Sequence, residues 1–265
     1  MELNFEIDKI VDYLNTYKED LPNLYNWNAK IEKLIGLDTL NENQIRDLNK
    51  LSPFYKEIEL KRIVGDKLKV TKDKNSELFF KISLWIIKEW GGIKSSNDKK
   101  TINLIKDFFN NPKPSFERIA STSKVGAYLN PEENIIYDSR VAYSLNWIIL
   151  SQNAGKVFFP IPLGRNSKMS ALDINVLIRL NNISIYDPVD IKNLDNRLFI
   201  KNSDKKIFIN KKNAYYEITK LVKRISKDLW EGDEEKQKNL YYTEMLLFSI
   251  ADKEIFMDIV SKYKI

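Results

Sequence analysis

The chain of 265 residues contains no cysteine and no histidine. Without cysteine it cannot form disulfides, thiolate nucleophiles, zinc fingers or cysteine-bound iron–sulfur clusters. Without histidine it cannot hold a Ser-His-Asp triad or a histidine general base. Any catalysis must therefore use Lys, Asp, Glu, Tyr, Ser or Arg side chains.

Long apolar runs are also scarce. The longest lie at residues 147–150 and 157–163, and two prolines interrupt the second. Both fall far below the ~20 residues that a membrane-spanning helix needs. The first residues form an amphipathic acidic segment, whereas a signal peptide has a basic region followed by an apolar one. We therefore expect a cytoplasmic protein that does not enter a membrane.

The composition is that of a globular protein, with 43% hydrophobic and 30% charged residues. The length suffices for one large domain or for two lobes that share a core. Lys and Arg outnumber Asp and Glu by 43 to 37, which gives a net charge of +6. This excess is compatible with a polyanionic partner, although a lysine-rich composition is equally typical of an AT-rich genome.

Apolar residues recur at helical spacing along most of the chain, which predicts a mainly α-helical fold with few or no strands. We expect a charged loop or an exposed strand at residues 66–75, and short extended segments at 183–186 and 206–209. Outside 116–150, helices are predicted at residues 7–17, 27–37, 41–51, 78–86, 101–109, 171–180, 214–225, 240–250 and 254–263.

The stretch at residues 116–150 carries the most chemical information. Lys124 and Asp138 each open an apolar, helix-like run, fourteen positions apart, and Asn130 and Pro131 break the chain between them. Two short helices joined in this way would bring an amine and a carboxylate towards one cleft, a pairing that suits nucleophilic chemistry at a sugar carbon. Each residue also has a simpler explanation, Asp138 as a helix N-cap and Lys124 as a solvated surface lysine.

The same stretch resembles the catalytic core of the helix-hairpin-helix DNA glycosylase superfamily. In that family a glycine-rich hairpin leads into a helix with a lysine, in a run such as G-x-K-x-A. A later helix is opened by a catalytic aspartate, in a run such as V-D-x-H-V or L-D-x-N-V. Here residues 121–127 read STSKVGA and residues 135–141 read IIYDSRV, with a slightly shorter connection between them. Because cluster cysteines are absent, the resemblance is nearest to the cluster-free, 8-oxoguanine-glycosylase-like members.

The resemblance implies roles for individual residues. Lys124 corresponds to the lysine nucleophile of the bifunctional members. Asp138 corresponds to the aspartate that supports the cationic sugar in the transition state. Arg140 stands where the family has a His or Asn near the DNA backbone, and a guanidinium group suits a phosphate.

Ser121, Thr122 and Ser123 lie near the position of the family's hairpin, which normally presents backbone amides to a DNA phosphate. Their hydroxyl groups can donate hydrogen bonds to a phosphate instead. The missing glycines favour an alternative from another class, a non-catalytic helical DNA- or protein-binding protein that retains the superfamily core. A plain DNA-binding module is a third possibility.

Other side chains carry weaker signals. Lysine pairs at residues 99–100, 205–206 and 211–212 could touch phosphates, and Tyr241, Tyr242, Glu244 and Phe248 could line a pocket. Further aromatic residues could stack on an extruded base, although at helical spacing such residues more often belong to the core. They are Trp85, Trp90, Tyr128, Tyr137, Tyr143, Trp147 and Trp230.

The resemblance therefore predicts a single two-lobed helical domain at residues 1–265 with its catalytic core at 116–150. The implied function is excision of a modified or damaged base from double-stranded DNA, with a β-lyase step, in a context such as defence against phage DNA. Neither a metal ion nor another cofactor is expected, and we expect the chain to act as a monomer.

Overall fold

The computed structural model describes residues 3–93, 97–163, 167–182 and 207–263, and most of these residues are helical. The prediction of a mainly α-helical fold is therefore confirmed, whereas the specific helix-hairpin-helix architecture stays a prediction. In the described ranges, one parallel bridge joins Phe158 to Phe208. The extended segment predicted at 183–186 lies outside the described residues. No helix in the described ranges combines the length and apolar character needed to span a bilayer.

In chain order, the described residues form a series of α-helices. They are α1 (Ile7–Asn15), α2 (Leu21–Leu24), α3 (Glu42–Leu48), α4 (Pro53–Lys74), α5 (Ser76–Trp85), α6 (Asp98–Asn110), α7 (Ile119–Leu129), α8 (Ser139–Ser151), α9 (Ser167–Ala171), α10 (Ile174–Asn181), α11 (Lys211–Leu229), α12 (Glu234–Lys238), α13 (Tyr241–Ile250) and α14 (Glu254–Tyr263). A π-helical turn at Ile86–Trp90 continues α5, and a 3-10 turn lies at Glu32–Leu34.

Two predictions for the N-terminal half are wrong. Residues 66–74 form the second half of α4, because Leu68 and Thr71 continue the buried face of that helix, whereas most charged residues of this segment are exposed. Most of the helix predicted at 27–37 is absent, and only the 3-10 turn forms there. By contrast, α3 begins where expected, since Asn41 and Gln44 form a capping box.

The buried apolar residues form two clusters. One cluster, which we call the terminal core, joins α1, α8, α11, α13 and α14. The other, the α4–α7 core, joins α3, α4, α5, the π-helical turn and α7. α7 contributes to both cores, through Ile119 at its start and Val125, Ala127 and Tyr128 further on. This helix is therefore one of the elements that link the two halves of the interior, together with α4 and α6, which also contribute to both cores.

α4 and α7 pack with their backbones in close approach at Gly65. A Cβ atom at this position would lie 2.6 Å from the backbone carbonyl oxygen of Tyr128. A contact that short cannot be relieved by a side-chain rotation, since the oxygen belongs to the main chain of a buried helix. The glycine in the middle of α4 is thus a requirement of helix–helix packing.

We expect Gly65→Ala to destabilise the protein by about 1–3 kcal/mol, because α4 and α7 must separate to admit the methyl group. The matched control is Gly36→Ala, where the nearest atom to an added Cβ is 3.7 Å away. Urea denaturation followed by circular dichroism measures both free energies of unfolding. Equal stabilities for the two variants would contradict the close packing at Gly65.

Candidate active site

Lys124 lies in the middle of α7, and not at the start of a helix as the sequence suggested. The helix begins at Ile119, directly after Arg118, whose backbone is left-handed with φ of 54°. Ten of the eleven residues of α7 are buried, so the helix runs through the interior and its lysine lies inside with it. Its side chain is only 6% exposed. Lys124 is therefore a buried amine and does not form the surface ion pair with Glu132 or Glu133 that a solvated lysine would allow.

The connection between α7 and α8 is fixed by side-chain hydrogen bonds to its backbone. Ser123 Oγ accepts a hydrogen bond from the Tyr137 amide at 3.0 Å, and Glu244 Oε2 accepts one from the Ile136 amide at 3.0 Å. Both amides are buried, so these bonds replace the water that an exposed loop would use. The segment that carries Asp138 is consequently held in one position.

Asp138 is the N-cap of α8. Its Oδ1 atom accepts hydrogen bonds from the amides of Arg140 and Val141, both at 3.0 Å. This capping role was one of the two explanations considered for the residue, and the structure confirms it. The cap also fixes the direction of the carboxylate, which lines a cavity. Capping and exposure to the cavity therefore occur together.

A cavity of about 1270 Å³ opens between the two cores. Both Lys124 and Asp138 line it, so the structure brings the two side chains together in the arrangement that the sequence led us to expect. Their catalytic roles stay predictions. The other charged residues of the wall are Glu117, Arg118, Arg140, Lys211, Glu244 and Asp252.

Lys124 reaches the cavity past a glycine. A Cβ atom on Gly91 would lie 2.9 Å from Lys124 Cε and 2.8 Å from the carbonyl oxygen of Ile87. Gly91 directly follows the π-helical turn, and its amide donates to the Ile86 carbonyl at 2.9 Å. Such π-helical turns are rare and frequently lie at functional sites. Here the turn places Trp90 and Gly91 against the lysine side chain.

Trp90 lies beside the amine of Lys124, and its indole ring is held in place by a hydrogen bond to Glu57. The Nζ atom of Lys124 lies 5.5 Å from the centre of the Trp90 ring, within the range of a cation–π interaction. The indole Nε1 donates to Glu57 Oε2 at 2.8 Å, while the Tyr128 hydroxyl donates to Glu57 Oε1 at 3.0 Å. The Lys61 ammonium group, 3.5 Å from the same carboxylate, completes this buried network.

Burial in the cavity wall shifts the pKa of two side chains. Burial lowers the pKa of Lys124 from its ordinary value, although the negative charges of Asp138 and Glu244 act in the opposite direction. Burial also raises the pKa of Glu244 to about 7, partly offset by Lys61. Glu244 was noted in the sequence only as one of four residues that could line a pocket. The cavity wall therefore contains both a buried amine and a second carboxyl group, whose pKa lies near neutral pH.

The residues predicted to contact DNA lie in different environments. Ser121 lines the cavity, whereas Thr122 and Ser123 are buried within α7. The hydroxyl oxygen of Ser123 already accepts a hydrogen bond from the Tyr137 amide. Arg140 lies at the cavity wall, where it forms an ion pair with Asp252 at 2.9 Å. DNA contact stays a prediction for all four residues, and it is favoured by position for Ser121 and Arg140.

The aromatic wall of the cavity differs from the one considered from the sequence. Of the seven candidates, Trp90 alone lines the cavity, and the others are buried in the two cores. Phe248, noted with the last helices, also lines it, whereas Tyr241 and Tyr242 do not. The aromatic wall residues that sequence reasoning missed carry no local signal, and two of the three come from a distant part of the chain. They are Tyr25, Trp27 and Phe116.

The site thus combines a buried amine, a capped carboxylate, a second buried carboxyl group and aromatic walls. Such a set can perform nucleophilic attack, stabilise a developing positive charge and transfer a proton. In the described ranges, no group of three or more acidic side chains is arranged to hold a metal ion.

Comparison of the chain with protein-family models, with curated proteins and with solved structures finds no match.

Proposed function

We propose that the protein is a DNA glycosylase with an abasic-site lyase step. The observation that carries the proposal is the shared cavity of Lys124 and Asp138, because a buried amine beside a carboxylate is what covalent chemistry at a sugar carbon requires. The resemblance of residues 116–150 to the helix-hairpin-helix glycosylases supports the same chemistry. The substrate would be double-stranded DNA that contains a modified base.

The cavity has room for an extruded nucleotide. A base within a duplex hides its glycosidic bond, so an enzyme must rotate the nucleotide out of the stack into a pocket. Small-molecule pockets commonly measure about 300–1,000 Å³, and the cavity at about 1270 Å³ exceeds this range. Trp27, Trp90 and Phe248 supply flat apolar surfaces in its wall. The space and the walls therefore suit a base, including one with a bulky substituent such as those of modified phage DNA.

Asp138 would stabilise the sugar as the base departs. The departing base leaves positive charge on the deoxyribose ring, and a fixed carboxylate in a water-poor cavity favours that charge. Two amide hydrogen bonds hold the carboxylate in place, so no reorientation is needed during the reaction. The α8 cap is thus proposed to be also the electrostatic element of catalysis.

Lys124 would attack the sugar carbon. Its neutral amine forms a bond from Nζ to C1′ of the cationic sugar, and ring opening then gives a protonated Schiff base. Loss of a C2′ proton to water then allows the 3′ phosphate to leave with the electron pair of its C3′–O bond. Burial, which lowers the pKa of the amine, increases the neutral fraction near pH 7. Trp90 and Gly91 define the path of the side chain and therefore the direction of attack.

The wall of the cavity carries cationic groups that suit the DNA backbone. Arg118, Arg140 and Lys211 all contribute to its wall, and Ser121 adds a hydroxyl donor. Arg140 is also stacked on Phe248, with its guanidinium carbon 4.5 Å from the ring centre. Cations held in this way can position a phosphate without reading sequence. We propose that these groups replace the missing glycine hairpin, and that the chain acts as a monomer.

The alternative is a binding protein without catalysis. It is favoured by the missing glycines, but it does not account for the burial of an ammonium group that forms no described ion pair. Burying a charge is costly unless it is compensated, and groups with perturbed pKa values cluster at functional sites. The two functions differ in a simple observable, since a binding protein releases no base.

We expect Asp138→Asn to lower base release by at least about a hundredfold, because the amide cannot stabilise a cationic sugar. Asparagine caps a helix as well as aspartate does, so the variant should fold normally. The measurement is the amount of free base released from a panel of modified duplexes under single-turnover conditions.

The matched control for this variant is Asp173→Asn. Asp173 caps α10 in the same way, with its side chain accepting from the Asn175 amide, but it does not line the cavity. The control should release base at the wild-type rate. Equal rates for both variants and the wild type would reject the role of Asp138, and salt-dependent DNA binding without base release by any of them would favour the binding protein.

Lys124→Gln should abolish the covalent adduct that borohydride traps between the protein and abasic DNA, since glutamine cannot form a Schiff base. Lys156→Gln is the comparison, because Lys156 is exposed and this variant should form as much trapped adduct as the wild type. Adducts are quantified by denaturing gel electrophoresis. If base release persists while the wild type traps nothing, the lyase step is absent and the glycosylase step stands.

The lyase step should depend on pH through Lys124. The attacking species is the neutral amine, and its pKa is lowered by burial, so the cleavage rate of preformed abasic DNA should rise with pH. It should reach its plateau below the ordinary lysine pKa of 10.5. Single-turnover cleavage rates measure this profile, with cleavage by a simple alkylamine as the reference. If the protein and the alkylamine gave the same pH profile, burial would not lower the pKa of Lys124.

A further inference from the structure

One face of α13 contributes a row of three side chains to the cavity. Glu244, Phe248 and Asp252 follow at intervals of four residues, the last just beyond the end of the helix, and all three line the wall. Glu244 is the most deeply placed of them, with only 4% of its surface exposed. This row brings a second buried carboxyl group into the site of Lys124 and Asp138.

The two oxygens of Glu244 have different surroundings. Oε2 accepts the hydrogen bond from the Ile136 amide at 3.0 Å, which fixes the carboxyl group against the α7–α8 connection. Among the described residues, no hydrogen bond or ion pair joins Oε1 to another group. One oxygen is therefore anchored and the other is free to bond to a ligand in the cavity.

The charged and titratable groups around Glu244 come from five parts of the fold. Lys61 approaches from α4, Lys124 and Tyr128 from α7, Asp138 from the start of α8, Tyr25 from the residue after α2, and Tyr215 from α11. Burial and the charge of Asp138 raise the pKa of the carboxyl group, while Lys61 and Lys124 lower it, and the resulting pKa is about 7. At neutral pH both the acid and the carboxylate are therefore populated.

The other acidic residues of the wall are unsuitable as proton donors. Asp252 is paired with Arg140 at 2.9 Å. Glu117 is exposed and paired with Lys100 at 2.6 Å, which lowers the pKa of its carboxyl group. Asp138 is bound to two amides of α8. Glu244 alone among these four combines burial with a free oxygen.

We propose that Glu244 is a catalytic residue, the general acid that protonates the base as it leaves the sugar. The inference rests on the proposed glycosylase function. As the bond from C1′ to the base breaks, its electron pair goes to the base, and the proton on Glu244 Oε1 moves to a nitrogen or oxygen of the base. The base leaves as a neutral molecule. Glu244 becomes a carboxylate and recovers its proton from water after the base has left the cavity.

A proton donor matters because a base that leaves without a proton leaves as an anion, which a water-poor cavity does not stabilise. A positioned general acid contributes about 10²–10⁴-fold to such a step. The abasic-site reaction has no base to expel and therefore has no use for this proton. The two activities of the protein should thus respond differently to loss of Glu244.

The test is Glu244→Gln, which keeps the size of the side chain and an oxygen that can accept from the Ile136 amide. With the duplex that the wild type processes, base release at pH 6.5 should fall by about 10²–10³-fold. Cleavage of preformed abasic DNA by the same variant should stay within about threefold of the wild-type rate, a margin far smaller than the loss expected for a general acid. Glu234→Gln, on the exposed helix α12, serves as the matched control and should match the wild type in both assays.

The pH profile provides a readout that a purely structural role would not change. Wild-type base release should decline as pH rises through about 7, because the acid form of Glu244 is lost. The decline should be absent from Glu244→Gln and present in Glu244→Asp. A melting curve checks that each variant is folded.

The outcomes separate the two proposals. Equal loss of base release and abasic cleavage in Glu244→Gln would overturn the general-acid role and indicate a structural one. Unchanged base release would overturn it as well. Absence of base release by the wild type on every duplex would instead reject the glycosylase function, and the role of Glu244 with it.

Discussion

The burial of one ammonium group is the constraint on which the rest of the site depends. Placing Lys124 in a cavity wall removes it from bulk water, a cost that a folded protein must offset with nearby partners. The partners here are the Trp90 ring, at 5.5 Å, and the carboxyl groups of Asp138 and Glu244. Neither carboxyl group lies within ion-pair distance of the amine in the described contacts, so the amine is stabilised without a close counter-charge. An amine in a close ion pair would be held as an ammonium ion, whereas this one can lose its proton.

The surroundings of Lys124 depend on main-chain features more than on side-chain identity. The π-helical turn ends at Trp90, and the glycine that follows leaves space for the lysine stem. Below the tryptophan, Glu57 binds its indole group and the Tyr128 hydroxyl, so the ring that faces Lys124 is fixed from behind. Gly65 allows α4, which carries Glu57, to approach α7, which carries Lys124. The position of the amine is therefore set by the packing of two helices and one irregular turn.

The sequence predicted the local features of this site but not its walls. Asp138 could be identified because capping is a local interaction between a side chain and the next helical turn. The placement of Lys124 at a helix start was wrong. The helix already begins at Ile119 and continues through Ser121 and Ser123 to Lys124 without any stop signal. The prediction of a loop at 66–75 failed because its charges were read without the buried Leu68 and Thr71 between them. Tyr25, Trp27 and Phe116 reach the cavity through tertiary packing, which single-sequence periodicity does not encode.

The two carboxyl groups of the site differ in what surrounds them, and this difference allows them to have different roles. Asp138 lies at the N-terminus of α8, where its Oδ1 atom accepts hydrogen bonds from two amides. Glu244 is buried, receives one amide, and has a pKa raised to about 7. Pairs of carboxyl groups in unlike environments are how enzymes obtain a charged group and a proton donor from the same chemistry. In a chain without histidine, such a pair is one of the few ways to supply a proton donor near neutral pH. Because Glu244 and Phe248 of α13 line the cavity together with residues of 116–150, the cavity forms only when the C-terminal part of the chain packs against that stretch.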